Sequence, residues 1–149
     1  MTILEAIQQS TADVKDIKGL SFANLQEFNA FMDSFQFEDW PRNIVVPPVV
    51  NGTFDGIRSR ETLILRGWVL RRIPEDTNDW RSVKLEPDYI EPMRILARKF
   101  IRRMLDQNDL IDPERDEATY SITPEYMFLT KHLFGVSYQA QIPIMKNVC

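Results

Sequence analysis

The sequence predicts an α+β domain: two antiparallel strand pairs forming a sheet, with N-terminal helices and a long central helix packed on one face. Three patterns predict it. Ile90, Met93, Leu96, Ala97, Phe100, Ile101, Met104 and Leu105 recur at helical spacing and give one apolar face. Phe134, Val136, Tyr138, Ala140, Ile142 and Ile144 alternate with Gly135, Ser137, Gln139, Gln141 and Pro143, the period of a strand buried on one side. Residues 60–73 form the longest β-like run, with Leu63, Ile64, Leu65, Trp68, Val69 and Leu70. Helical and strand segments grouped in this way suit helices layered on an antiparallel sheet.

From the N-terminus, Ile3, Ile7, Val14 and Ile17 share a helical face and Gly19 offers a stop, so residues 1–20 read as a helical extension of a single domain spanning 1–149. After Ser21, the residues Phe22, Leu25, Phe28, Met32 and Phe35 are spaced as in an amphipathic helix, and their aromatic stripe reads as core rather than as a partner-binding box. Trp40-Pro41 ends the helical region, because proline biases its predecessor toward extended geometry. A short strand over residues 43–46 is stopped by Pro47-Pro48. Asn51-Gly52 and Asp55-Gly56 are turn dipeptides, so residues 47–57 are predicted to be an extended loop joining two strands.

At about 3.3 Å per residue, a strand over residues 60–73 would run about 46 Å, well beyond the usual five or six residues, and part of it is expected to project from its own domain. Gly67 within it marks a bulge or the close approach of another backbone. Residues 74–87 are polar and read as a loop. The central helix has two possible starts. Asp88 with Glu91 resembles a capping box, which leaves Pro92 at the expense of a helical bond, whereas Pro92 also suits the first helical position. Residues 107–118 are an acidic linker. Residues 119–122 and 126–130 look like strands, and Pro143 places the end of the last strand at a sheet margin.

With 149 residues, 44% apolar and 27% charged, the composition is that of one globular core and excludes wholesale disorder. The chain has no apolar run of membrane-spanning length, and its first residues carry Glu5, Asp13 and Asp16 where a signal peptide would be basic and then apolar. The expectation is a protein made and used in a cytoplasm. The single cysteine, Cys149, is the last residue, reads as a disordered end, and leaves neither a disulfide framework nor a cysteine-based zinc site.

The net charge of −4 is unevenly spread. Residues 1–40 hold two lysines against seven acids, residues 57–103 twelve basic groups against seven acids, and residues 104–119 one arginine against six acids. Acidic and basic regions so segregated can meet head to tail between copies, or neutralise each other within one monomer.

Reactive groups are sparse. His132, beside Lys131 and Leu133-Phe134, is the only histidine and has no partner in sequence for zinc or for nucleophilic catalysis. The chain contains no glycine-rich phosphate loop, serine elbow or HExxH motif. Glu75, Asp76 and Asp79 lack the remaining positions of a calcium loop and read as a solvated segment. No catalytic, cofactor-binding or metal-binding residue is assigned, and no cofactor is expected. Arg94, Arg98, Lys99, Arg102 and Arg103 line one helix face. In an acidic chain without interleaved aromatic residues they suit a subunit interface or a solvated face better than DNA, and Arg71-Arg72 reads the same way.

Three local signatures carry a resemblance. They are the entry Trp40-Pro41-Arg42-Asn43-Ile44-Val45-Val46-Pro47-Pro48, the long strand followed by the helix opening Pro92-Met93-Arg94-Ile95-Leu96, and the closing His132-Leu133-Phe134-Gly135-Val136-Ser137-Tyr138 strand. Together with the element order over residues 22–145, they resemble the tail-terminator and head-to-tail joining (neck ring) proteins of tailed phages. The resemblance implies a non-catalytic virion subunit, assembled in the host cytoplasm. It would form a ring, hexameric or dodecameric, at the head–tail junction, capping the tail and joining it to the connector. The expected partners are copies of itself and the adjacent connector and tail proteins, with DNA passing through the lumen and no membrane. The strand over residues 60–73 and the segment 47–57 are the candidate contacts, on the usual interface scale of about 1,200–2,000 Å². The alternative is a small monomeric interaction module or assembly factor, also without catalytic activity.

Overall fold

The computed structural model describes residues 1–23, 35–56, 58–73, 86–115, 117–128 and 133–145. It is an α+β fold with a mixed six-stranded sheet and, among the described residues, two α-helices. The helices are α1 (Ile3–Ala12) and α2 (Glu91–Leu105). The strands are β1 (Gly19–Phe22), β2 (Arg42–Val45), β3 (Val49–Asp55), β4 (Arg58–Arg72), β5 (Thr119–Phe128) and β6 (Leu133–Ile144). The sheet runs β1-β2-β4-β6-β5, and β3 pairs with β4 beside β2. Only β1 and β2 are parallel; every other pairing is antiparallel.

Helix α1 starts on a capping box in which the Thr2 hydroxyl accepts from the Glu5 N–H and the Glu5 carboxylate accepts from the Thr2 N–H. It ends at Ala12, earlier than the Ile3–Ile17 apolar spacing suggests, but Val14 and Ile17 stay buried in the turns that follow. Gly19 opens β1 instead of closing a helix, and Phe22 belongs to that strand. The remaining apolar positions of the predicted aromatic helix, Leu25, Phe28 and Met32, lie outside the described residues. Before α2, residues Glu86–Ile90 form a single wide helical turn, and Pro92 sits within the first turn of the α-helix, where a missing N–H costs no bond.

The main core lies between the two helices and one sheet face. Ile3, Ala6 and Ile7 of α1 and Met93, Leu96, Phe100 and Met104 of α2 pack on Val45, Leu63, Leu65, Val69, Val136, Ala140 and Ile142. The alternation read from β6 holds: Phe134, Val136, Tyr138, Ala140, Ile142 and Ile144 are all buried. A second, smaller core on the other sheet face joins Ile44, Leu70 and Leu133 to Ala23 and Trp40, with Phe35 and Trp68 at its rim.

Three expectations are corrected. Residues 47–57 are mostly not a loop: β3 pairs with β4 from Val49↔Ile64 to Asp55↔Arg58. Asn51-Gly52 is therefore mid-strand, and cross-strand bonding with Thr62 and Glu61 overrides its turn chemistry. Between β3 and β4 the chain turns at Gly56, whose φ of 65° suits a tight hairpin. The strands expected over residues 119–122 and 126–130 are, as far as residue 128, one strand, β5, with a register irregularity between Glu125 and Phe128; residues 129 and 130 lie outside the described residues. Finally, the described residues form a six-stranded sheet rather than two antiparallel pairs.

Candidate assembly surfaces

Strand β4 is 15 residues long, about 50 Å at ~3.3 Å per residue. Among the described residues it pairs with β6 from Glu61 to Arg72, and residues 58–60 pair with β3 alone. The β3–β4 hairpin therefore projects past the end of β6. Phe54 near its tip is 85% exposed, and Val49 and Val50 are also exposed. Among the described residues, no strand pairs with the outer edge of β3, nor with the outer edge of β5. Unpaired edges of this kind are templates for pairing with another chain.

The centre of the sheet is closely packed. Gly67 on β4 faces Tyr138 on β6, and a Cβ at Gly67 would collide with the Ile44 carbonyl and meet the phenol oxygen at 2.7 Å. The close approach expected at Gly67 is thus to both a neighbouring backbone and an aromatic ring. Tyr138 stacks at a tilt on Phe100, 5.6 Å between ring centroids. Its hydroxyl donates to Asn43 Oδ1 at 2.7 Å, Asn43 Nδ2 donates to Thr11 Oγ1 at 3.1 Å, and Thr11 Oγ1 donates to the Ile7 carbonyl at 2.8 Å. Burial pushes the Tyr138 phenol far above its usual range, opposed in part by the bond to Asn43. This chain ties β6, β2 and α1 together inside the core. Sequence gives no sign of it, because its members lie far apart along the chain.

The segment after α2 is also held firmly. Leu110 is buried, and its carbonyl accepts from Met145 N–H at 3.0 Å, while Asp112 N–H donates to the Pro143 carbonyl at 3.1 Å. Arg115 donates to the Glu61 carbonyl at 2.8 Å and to Thr62 Oγ1 at 3.2 Å, which pins the acidic segment to the root of the hairpin arm.

The arginines of α2 divide. Arg94 is half-buried and bridges to Glu91. Arg102 pairs loosely with Asp106 at 3.6 Å. Arg98, Lys99 and Arg103 are exposed and make no ion pair among the described residues. They border a cleft of about 870 Å³ between the end of α1, the C-terminal half of α2 and Tyr120 of β5. Arg71 lies over the Tyr89 ring, 5.3 Å from its centroid. On the opposite sheet face, Arg66, Trp68, Ser137 and Gln139 line a shallower groove of about 370 Å³.

Arg42 closes the second core, stacked 3.9 Å over Phe35 and donating to the Leu20 carbonyl and Ser21 Oγ. Partial burial pulls its guanidinium below the ordinary arginine range, and Asp39 opposes the shift. His132, Cys149 and the acidic residues 75–79 lie outside the described residues. Among the described residues, no three histidine, cysteine or acidic side chains are gathered as metal ligands, and no helix is long and apolar enough to cross a membrane. Neither models of known protein families nor curated proteins match the chain.

Proposed function

We propose that this chain is a non-catalytic structural subunit that assembles side by side with copies of itself, in the manner of a phage tail-terminator or neck ring capping the tail and meeting the connector. The observation that carries the reading is the β3–β4 hairpin, whose β3 edge is unpaired among the described residues and bears exposed Val49 and Val50, and whose end beyond β6 bears exposed Phe54. Exposed apolar residues on an open edge are an aggregation hazard unless a partner covers them. A covered arm is a lateral contact, and a contact between unlike surfaces closes into a ring when its rotation allows. The short signatures quoted from the sequence point to the same class.

Mass photometry and negative-stain imaging, with and without a connector, test it. The expected result is a defined ring, alone or on the connector. Val50→Lys with Phe54→Asp should leave melting unchanged, since both side chains are exposed, and should abolish the ring. A wild-type protein that stays monomeric and ignores its connector would overturn the proposal.

The second reading, a monomeric interaction module, draws support from the groove around Trp68 on the sheet face away from the helices. It predicts that the hairpin substitutions change no binding, whereas Arg66→Glu in the groove does.

A further inference from the structure

We infer that the basic cleft between α1 and α2 receives the acidic segment 109–117 of a second copy. This rests on the reading of the chain as self-assembling and names the surfaces that meet. The cleft brings together Arg98, Lys99 and Arg103, which make no ion pair among the described residues. The segment 109–117 carries Asp109, Asp112, Glu114, Asp116 and Glu117 against Arg115. Among the described residues Asp109 and Glu114 are exposed and make no ion pair either. Among the described residues no ion pair joins these cations to the segment 109–117 of the same chain, although the two follow one another in sequence.

Other occupants fit less well. Small-molecule pockets are mostly apolar with a few polar groups, whereas eight of the twelve residues lining this cleft are charged. Duplex DNA presents about one phosphate per 1.7 Å of helix axis, and Asp13, Asp16 and Asp106 in the same cleft would repel part of that array. Discrete carboxylates on a protein segment can be set against Arg98, Lys99 and Arg103 and away from those acids.

The acidic segment is also pre-organised. Leu110, Asp112 and Arg115 hold it to β6 and to the root of the hairpin arm, so little ordering is lost on docking. Its contact with Glu61 and Thr62 makes it continuous with the hairpin, and the arm and the acidic segment form one side of the contact. Charge complementarity of this kind sets register and rate of encounter more than raw affinity.

Sedimentation velocity on four full-length proteins tests the inference: wild type, R98E/R103E, D109K/E114K and the quadruple variant. All four positions are exposed, and circular dichroism checks the fold. Each pair reversal should raise the self-association constant for dissociation by at least about tenfold, since like charges then face each other. The quadruple variant, with both signs exchanged, should recover most of the loss, and salt should weaken wild type and quadruple variant alike. If neither reversal matters while the hairpin substitutions still abolish assembly, the inference fails and the proposed function stands. If the quadruple variant is no better than R98E/R103E, the cleft does not meet this segment, and the inference fails. Retention of duplex DNA by wild type but not by R98E/R103E, with self-association unchanged, assigns the cleft to nucleic acid and overturns it. A wild type that never associates, with or without a connector, removes both.

Discussion

Gly67 and Tyr138 are the two residues on which the centre of the sheet turns. Gly67→Ala would push a methyl group into the Ile44 carbonyl and the Tyr138 ring, a form of overpacking that costs about 1–3 kcal/mol; chemical denaturation reads this directly. Tyr138→Phe removes the donor to buried Asn43, at about 1–3 kcal/mol for an acceptor left unsatisfied. The pH dependence separates the hydrogen bond from mere packing. Because burial raises the phenol's pKa from its ordinary 10.0, its contribution is intact below that value and is lost as pH climbs further, when only the unfolded phenol ionises. The wild type should lose up to about 1.4 kcal/mol per pH unit there, and the gap between wild type and Tyr138→Phe should narrow. A gap that stays constant in urea titrations across that alkaline range would contradict the buried, protonated phenol. The glycine is legible in the sequence as a bulge or a close approach, and it is the close approach that the structure shows. Its partner is not, because Asn43 and Tyr138 are 95 residues apart and no periodicity relates them.

Elements were legible in proportion to the contrast between their two faces. Strand β6 and helix α2 each bury one face fully, so their sequences alternate or recur sharply. Strand β3 has six consecutive exposed residues, Val49 to Phe54, so no burial pattern marks it and its Asn51-Gly52 suggests a turn; only pairing with β4 makes it a strand. The arm that carries the proposed contact is thus half visible in the sequence: the excess length of β4 shows there, whereas the strand beside it reads as a loop. Strand β1 is only four residues long, and Phe22 within it also fitted the aromatic helical spacing. The two cores predict different responses at this scale. Trp40 packs on Ile44, Leu70 and Leu133 and lies edge-on to Phe35 at 5.9 Å. Trp40→Ala should cost about 3–5 kcal/mol. The loss should fall unevenly, with hydrogen exchange accelerated first in β1 and β2 and last in α2, whose core lies on the other face. Equal acceleration in all three would mean that the two cores open as one unit.

Across the whole molecule, the uneven charge is the feature that the sequence displayed most openly, yet its meaning depended on the fold. The acidic and basic blocks could have cancelled within a monomer; the described ion pairs use Glu91, Asp106 and Glu117 and leave Arg98, Lys99, Arg103, Asp109 and Glu114 to other partners. A contact between two different surfaces has a consequence for mixtures. The R98E/R103E protein sets glutamates at 98 and 103 against Asp109 and Glu114 of the next copy; the D109K/E114K protein sets lysines at 109 and 114 against Arg98 and Arg103. Each repels itself, but in a mixture every junction between unlike subunits joins opposite charges. The mixture should assemble where neither component does, with strictly alternating subunits in a 1:1 ratio, which native mass spectrometry can count. Alternation around a closed ring requires an even number of copies, a condition that a hexamer and a dodecamer both meet. A particle that stops at one subunit of each kind would instead indicate a two-fold symmetric pair, in which the same two surfaces meet twice, and would exclude the ring.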